Sequence, residues 1–271
     1  MKDTASAITT CPDRELADLL QIAAKAALTA GNGIRELYGR THTVTMKGTI
    51  DLVTEADLAS EAAILAALTT DTPEIPVLAE ESAGDHTVPG DGCIWIVDPL
   101  DGTTNFAHSF PFFAVSIALV DNGLPVAAVV YDPLRDELFL ASLGGSSWLG
   151  EHRLQVSATE DLINALIGTG SPYDIHRHLD EVIADTEALL PQVRDLRIAG
   201  AAALNLASVA CGRLDAYYEI GLKPWDTAAG MLLVSEAGGR VTDFQGKTFT
   251  FNRPILASNG LLHQQLTKAL G

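Results

Sequence analysis

At 271 residues, 47% of them hydrophobic, the chain holds enough apolar surface for one large domain or two tightly joined ones. Its formal net charge of −18, from 35 acidic against 17 basic side chains, argues against nonspecific binding to nucleic acid or to an anionic membrane. The same charge repels any anionic ligand at long range, so one would have to be drawn in by local positive charge such as bound cations.

The amino terminus, Met1 to Cys11, is short and polar, and no run of about 18 uncharged apolar residues follows it. Cys11, Cys93 and Cys211 are scattered, with no pair at metal-ligand spacing, so no disulfide framework is expected and a reducing cytoplasm is the default compartment. From Pro12, the residues Leu16, Leu19, Leu20, Ala23, Ala27, Ile34 and Leu37 keep three-and-four spacing. That predicts a long amphipathic helix, kinked at Gly31-Asn32-Gly33. Thr41 to Ile50 alternates like a hairpin, with His42 a solvated strand residue. Thr54, followed by Glu55, Asp57 and the apolar Leu58, Ala62, Ile64, Leu65 and Leu68, reads as a capped helix start. Asp57 either complements that helix end or faces a metal site. Ile75 to Ala79 is a short strand delivering Glu80 and Glu81, which point to opposite faces of an extended chain, so only one of the two readily meets a metal. Gly84 to Gly92 has the composition of a surface loop.

Cys93, Ile94, Trp95, Ile96 and Val97 run straight into Asp98-Pro99-Leu100-Asp101-Gly102-Thr103-Thr104-Asn105-Phe106. Pro99 fixes one φ and Gly102 permits an unusual one, so the chain is expected to turn sharply where two carboxylates sit three residues apart. Carboxylates forced that close repel unless a cation lies between them, which asks for a hard ion such as Mg²⁺ or Mn²⁺ with oxygen ligands. The Leu100 carbonyl, exposed in the turn, is a further candidate ligand. The plain alternative is an Asp-rich β-turn closing a hairpin.

Phe113 to Val120, Val126 to Tyr131, Glu137 to Ala141 and Ser146 to Leu149, separated by Asp121-Asn122-Gly123 and Asp132-Pro133, predict an antiparallel meander. Leu162 to Thr169 reads as another strand. His176 and His178 diverge on a helix and read as a solvated helix start. Ala199-Gly200-Ala201-Ala202-Ala203 opens a helix whose amino terminus serves either as a phosphate or hydroxyl contact or as a surface for close packing. Asp215 to Leu222 is strand-like and carries Glu219 toward Asp226. A helix from Thr227 to Ala237 stops at Gly238-Gly239. Strands at Arg240 to Thr250 and Ile255 to Ala257 and a terminal helix from Gly260 close a layered arrangement of α and β structure with mixed sheets. No Ser or Cys sits in a nucleophile motif, which disfavours a covalent phosphoryl or acyl enzyme.

The central stretch resembles the signature of the inositol monophosphatase family, Mg²⁺-dependent and lithium-sensitive phosphomonoesterases. Ala79-Glu80-Glu81-Ser82 resembles that family's Gly-Glu-Glu-Ser element, with Ala79 where glycine is usual. Asp51-Leu52-Val53-Thr54-Glu55-Ala56-Asp57 resembles its upstream acidic motif and Lys223-Pro224-Trp225-Asp226-Thr227-Ala228-Ala229-Gly230 its closing Trp-Asp motif. These elements occur in the family's order over nearly the whole chain. The resemblance implies an α+β fold, a layered αβαβα sandwich of the fructose-1,6-bisphosphatase type with mixed and antiparallel sheets. It implies one compact unit in which an amino-terminal α+β part (1–150) carries most metal ligands and a carboxy-terminal α/β part (151–271) carries Asp226 and substrate contacts.

By position, the resemblance assigns Glu80, Asp98 and the Leu100 carbonyl to a first Mg²⁺ and Asp98, Asp101 and Asp226 to a second. Glu80 also lies near a weaker third ion, and Mn²⁺ is a substitute. Asp57 and Thr103 orient and deprotonate the attacking water, with Glu81 a supporting acid. The amides of Gly102 and Thr103 cradle the phosphate, and Gly200, Ala201, Ala202 and Glu219 contact the alcohol. Lys47 falls near the family's mobile-loop lysine, although its interval to Asp51 is one residue shorter than usual. Implied beyond the site are a homodimer, no direct nucleic-acid or membrane partner, and a small phosphorylated polyol as substrate, inositol-1-phosphate first. Histidinol phosphate is the runner-up, followed by fructose bisphosphate and adenosine bisphosphate. A family relative also binds the transcription machinery, so a regulatory interaction protein stands as the non-enzymatic alternative.

Overall fold

The structure, a computed structural model, describes residues 4–40, 44–46, 52–84 and 87–271. Lys47, Asp51 and His42 lie outside them. Helices α1 (Ala5–Thr10) and α2 (Arg14–Leu37) lead. The Asp13 carboxylate caps α2 by accepting the amides of Glu15 at 2.8 Å and Leu16 at 3.3 Å. The helix buries Leu20, Ala23, Ala27, Ala30 and Ile34 on one face. It runs unbroken through Gly31, contrary to the expected kink. A side chain at Gly31 would collide with the Tyr131 ring, so this glycine serves close packing and not a bend.

A two-stranded ribbon follows, β1 (Val44–Met46) with β2 (Leu52–Thr54), then helix α3 (Glu55–Asp71) and strand β3 (Val77–Ala79). Next come β4 (Cys93–Asp101), the short helix α4 (Thr103–Ala107), β5 (Ala114–Asp121), β6 (Leu124–Asp132), β7 (Glu137–Ser142), β8 (Ser146–Leu149) and β9 (His152–Arg153). Strands β3 to β9 form one sheet in chain order, parallel between β3 and β4 and antiparallel thereafter, so the expected meander is present. The remainder is β10 (Leu166–Thr169), α5 (Ile175–Leu189), β11 (Asp195–Ile198), α6 (Ala202–Ala210), β12 (Ala216–Glu219), α7 (Pro224–Glu236), β13 (Arg240–Thr242), β14 (Ile255–Ser258) and α8 (His263–Leu270). These strands make a mixed sheet in the order β11-β10-β12-β14-β13. Leu162 to Thr169 is not one strand: Leu162–Asn164 form a 3-10 turn before β10 begins. His176 is exposed and His178 half-buried on α5, where His178 pairs with Asp174 and Glu181, so neither forms a metal centre.

Stacked in space, these elements give five layers. Helices α2 and α3 cover one face of the β3–β9 sheet; α6 and α7 lie between that sheet and the β10–β14 sheet; α5 and α8 cover the far side. The alternation of side chains across a strand explains how β4 serves two cores at once. Trp95 and Val97 pack with Leu20, Ile34, Ile64 and Leu68, while Ile94 and Ile96 pack with Leu206, Val209 and Leu233. Each fully buried Leu, Ile or Val contributes roughly 1.5–3 kcal/mol. The one polar atom of the buried Trp95 ring is satisfied by Thr72 Oγ1 at 3.0 Å. Among the described residues no helix is long and apolar enough to cross a membrane.

Candidate active site

The site is built on the end of β4. Asp98 pairs with Ser116 and Asp101 with Ala114, three steps on β4 against two on β5, so one extra residue is accommodated as a β-bulge. In a regular strand, residues three apart point to opposite faces; the bulge offsets this and lets Asp98 and Asp101 share one side. The expected sharp turn at Pro99 is thus a bulge inside a strand, because the main chain keeps pairing with β5 through Asp101. The turn comes one residue later, at Gly102, whose φ of 93° is the left-handed region that favours glycine. A side chain there would also press on Phe112 O, Gly200 O and Ala201 Cβ at 3.0–3.2 Å.

Local hydrogen bonds hold the bulge. The Leu100 amide donates to Asp98 Oδ1 at 3.0 Å, and the Ser60 hydroxyl on α3 donates to the Pro99 carbonyl at 2.6 Å. The Leu100 carbonyl is not exposed as expected: the residue is buried, and this oxygen accepts the Thr103 hydroxyl at 3.0 Å. Thr103 also donates to Asp57 Oδ1 at 2.7 Å. Asp57 closes a capping box, its Oδ2 accepting the Thr54 amide at 2.8 Å and the Thr54 hydroxyl at 2.6 Å. The helix-cap reading of Asp57 is seen directly, one carboxylate oxygen capping α3 while the other accepts from Thr103.

Asp101 reaches across the molecule to the first amides of α6, accepting from Ala202 at 3.1 Å and Ala203 at 2.7 Å. Sequence reasoning gave no signal for this link. Asn105 adds a second one, its Nδ2 donating to Phe112 O at 2.7 Å, Ala199 O at 2.8 Å and Gly200 O at 3.2 Å. Gly102, Gly200, Ala201 and Ala202 are thereby brought to one seam. Asp226, in the first turn of α7, accepts the Lys223 amide at 2.6 Å. Glu80 and Glu81 follow β3, both half-buried; the Glu81 amide donates to Glu61 Oε2 at 2.9 Å, a buried acid that sequence reasoning missed. Glu219, at the end of β12, is buried. Tyr217 donates its hydroxyl to Glu219 Oε2, and Gly170 leaves the space the carboxylate fills.

Electrostatics ties the acids together. Burial pushes the Asp98 carboxyl well above its ordinary value, and the negative charges of Glu80, Asp101 and Asp226 push it further. Burial likewise drives Asp226 well up, aided by Glu80 and Asp101 and opposed by the Lys223 amide. Asp101 rises to about 7, again from burial first, against the pull of the Ala203 and Ala202 amides. Asp57 rises through burial, moderated by Thr54 and Thr103, and Glu219 rises to about 8 through burial.

An oxygen-only, acidic and mutually repelling donor set suits a hard divalent cation such as Mg²⁺ and not a metal that prefers nitrogen or sulfur. Among the described residues no three such side chains are already closed around one point. Backbone amides of Leu100, Ala202, Ala203 and Lys223 hold these oxygens, and an entering ion competes with them.

A stability prediction follows from the signs. A carboxyl raised in the folded state keeps its proton where the unfolded chain has lost it, so its contribution falls as pH rises from the ordinary 3.8 toward the folded value of about 7 for Asp101. Chelator-stripped protein is expected to melt lower at about pH 8 than at about pH 5.5, with Mg²⁺ raising Tm more at the higher pH. Equal Mg²⁺ shifts at both pH values would show that the cluster does not take the ion.

A model of the inositol monophosphatase family matches residues 15–271. The chain belongs to the inositol monophosphatase family. It is 43% identical over 258 residues to an inositol-1-monophosphatase of Synechocystis sp., covering 94% of this chain and 90% of that one. It is 44% identical over 244 residues to the Nus factor SuhB of Escherichia coli K12, covering 89% and 91%. A solved inositol monophosphatase from Anabaena (Nostoc) sp. superposes with a TM-score of 0.84 at 39% identity, covering 94% and 96% of the two chains. Membership carries the layered α/β fold and a metal-dependent phosphatase lineage.

Proposed function

We propose that this inositol monophosphatase family member hydrolyses a small phosphorylated polyol, inositol-1-phosphate first, using Mg²⁺. The observation that carries this reading is the buried pair Asp98 and Asp101, with the charges of Glu80 and Asp226 acting on Asp98, beside the Thr103–Asp57 pair. Glu80, Asp98, Asp101, Asp226 and the Leu100 carbonyl would hold the ions. Bound divalent ions supply positive charge to the transferring phosphoryl group and the leaving oxygen. Thr103, its one hydroxyl proton turned to the nearer acceptor Asp57 Oδ1 and away from Leu100 O, keeps oxygen lone pairs to orient an attacking water, and Asp57 receives the proton through that hydroxyl. A carboxylate raised by burial is the better base near neutral pH. Glu81 supports Glu80, and the amides of Gly102 and Thr103 meet the phosphate.

Glu219, with Gly200, Ala201 and Ala202, reads the alcohol. Its burial, with Oε2 accepting the Tyr217 hydroxyl, fixes the orientation of the carboxyl group. Glu219→Gln is therefore expected to change the preference among alcohols by about 10- to 150-fold, with a smaller loss on an aryl phosphate. Equal losses on every substrate would place Glu219 in the catalytic core. The division into residues 1–150 and 151–271, the homodimer, the cytoplasmic location, lithium inhibition and the absence of nucleic-acid and membrane partners belong to the same proposal. The net charge of −18 supports the last of these.

A second reading, a regulatory interaction protein, is favoured by the relative named a Nus factor at 44% identity. Phosphate release over inositol-1-phosphate, histidinol phosphate, fructose-1,6-bisphosphate and adenosine bisphosphate separates the two. Turnover of the first well above the others supports the proposal, preference for the second replaces its substrate, and none on any of them favours the interaction role.

A further inference from the structure

Asn105 belongs to the central motif but holds no place in the chemistry derived above. Its side-chain nitrogen faces three backbone carbonyls from two separate segments, Phe112 O at 2.7 Å, Ala199 O at 2.8 Å and Gly200 O at 3.2 Å. Three acceptors on one side select the amide nitrogen and leave no role there for a carboxylate. The main-chain carbonyl of Asn105, which any substitution keeps, accepts the Phe110 amide at 2.8 Å and closes the loop between α4 and β5. Close contact completes the seam, since Gly102 leaves no room for a side chain against Phe112 O and Gly200 O. Asp101 ties the same stretch one residue further on, through the amides of Ala202 and Ala203. The phosphate end of the site stands on α4 and the β4 bulge, whereas the alcohol end stands on residues 199–202. Asn105 spans the two at residues 199–200, beside the link that Asp101 makes to Ala202 and Ala203.

We infer that Asn105 is a positioning residue that sets the separation between the phosphate-holding turn and the alcohol-contacting segment, and so governs which alcohols fit. This rests on the phosphatase reading of the site. Removing the clamp lets residues 199–201 drift from Gly102 while Asp98 and Thr103 keep their own hydrogen bonds on β4, α3 and α4. The effect then falls on substrate binding more than on turnover.

The test compares wild type, Asn105→Ala and Asn105→Asp on inositol-1-phosphate and on an aryl phosphate, with Mg²⁺ saturating. Asn105→Ala is expected to raise KM for inositol-1-phosphate about 5- to 20-fold, with kcat reduced less than about threefold and a distinctly smaller KM change on the aryl phosphate. Asn105→Asp should be worse than alanine above neutral pH and recover toward it as pH falls and the carboxyl gains a proton to donate. Equal losses in kcat on both substrates, tracking a fall in Tm, would reduce Asn105 to a structural tie and overturn the inference. If Asn105→Ala does not fold, Asn105→Ser, which keeps a shorter donor, carries the same KM comparison. A wild type that releases no phosphate defeats the phosphatase reading itself, an outcome distinct from an active wild type whose KM is unmoved by Asn105→Ala.

Discussion

Asp98→Asn is expected to abolish phosphate release, by about 10³-fold or more, while the protein still folds. Asp98 is the acid whose charge is felt from three sides, by Glu80, Asp101 and Asp226. An amide of the same shape retains the acceptor for the Leu100 amide at 3.0 Å but cannot supply the negative charge that two ions would share. In the absence of Mg²⁺ the variant should melt at or above the wild-type temperature, because one of several crowded carboxylates has been neutralised. The Mg²⁺-induced rise in Tm should shrink in parallel with the activity. Turnover near the wild-type level would show that Asp98 is not shared between ions.

Thr103→Val tests the other half of the site. Valine matches the shape of threonine and removes only the hydroxyl, which donates to Asp57 Oδ1 at 2.7 Å and to Leu100 O at 3.0 Å. Loss of that proton path is expected to lower kcat by about 10²- to 10⁴-fold. Two buried acceptors lose their donor, at a cost to stability of roughly 1–3 kcal/mol, so assays belong well below the lowered Tm. Unlike Asp98→Asn, this variant should keep its full Mg²⁺-induced thermal shift. A loss of that shift together with activity would make Thr103 part of the ion site, in place of its assigned role with the water.

Much of the fold was legible because its signals are local. Three-and-four spacing marked α2, alternating apolar runs broken by Asp121-Asn122-Gly123 and Asp132-Pro133 marked β5 to β8, and Gly238-Gly239 marked the end of α7. The misreadings are places where distant packing decides. Gly31 looked like a hinge until the Tyr131 ring occupied its missing side chain. Pro99 looked like a turn because nothing in the local chain reveals that β5 continues to pair beyond it. Leu162 to Asn164 carries apolar residues typical of a strand but winds into a single tight turn.

At the site, the acids were legible as residue types at suggestive spacings, and their gathering was legible only through the family motif. Asp57 shows what spacing alone could reach: it marked the helix cap, but not the bond from Thr103 to the second carboxylate oxygen. The link from Asp101 to α6, the Asn105 clamp and the Tyr217 hydroxyl on Glu219 span distances in sequence that no periodicity encodes. The burial of Glu219 was not legible either, because strand character says nothing of what covers a strand end. Lys47 lies outside the described residues.

The most direct measurement is phosphate release from inositol-1-phosphate by chelator-stripped protein as Mg²⁺ is titrated back, with and without Li⁺. The account predicts no turnover in chelator, a rise that saturates with Mg²⁺, weak replacement by Ca²⁺, which prefers longer and looser coordination, and inhibition by Li⁺. Full activity in excess chelator, or none at any Mg²⁺ concentration, would contradict it.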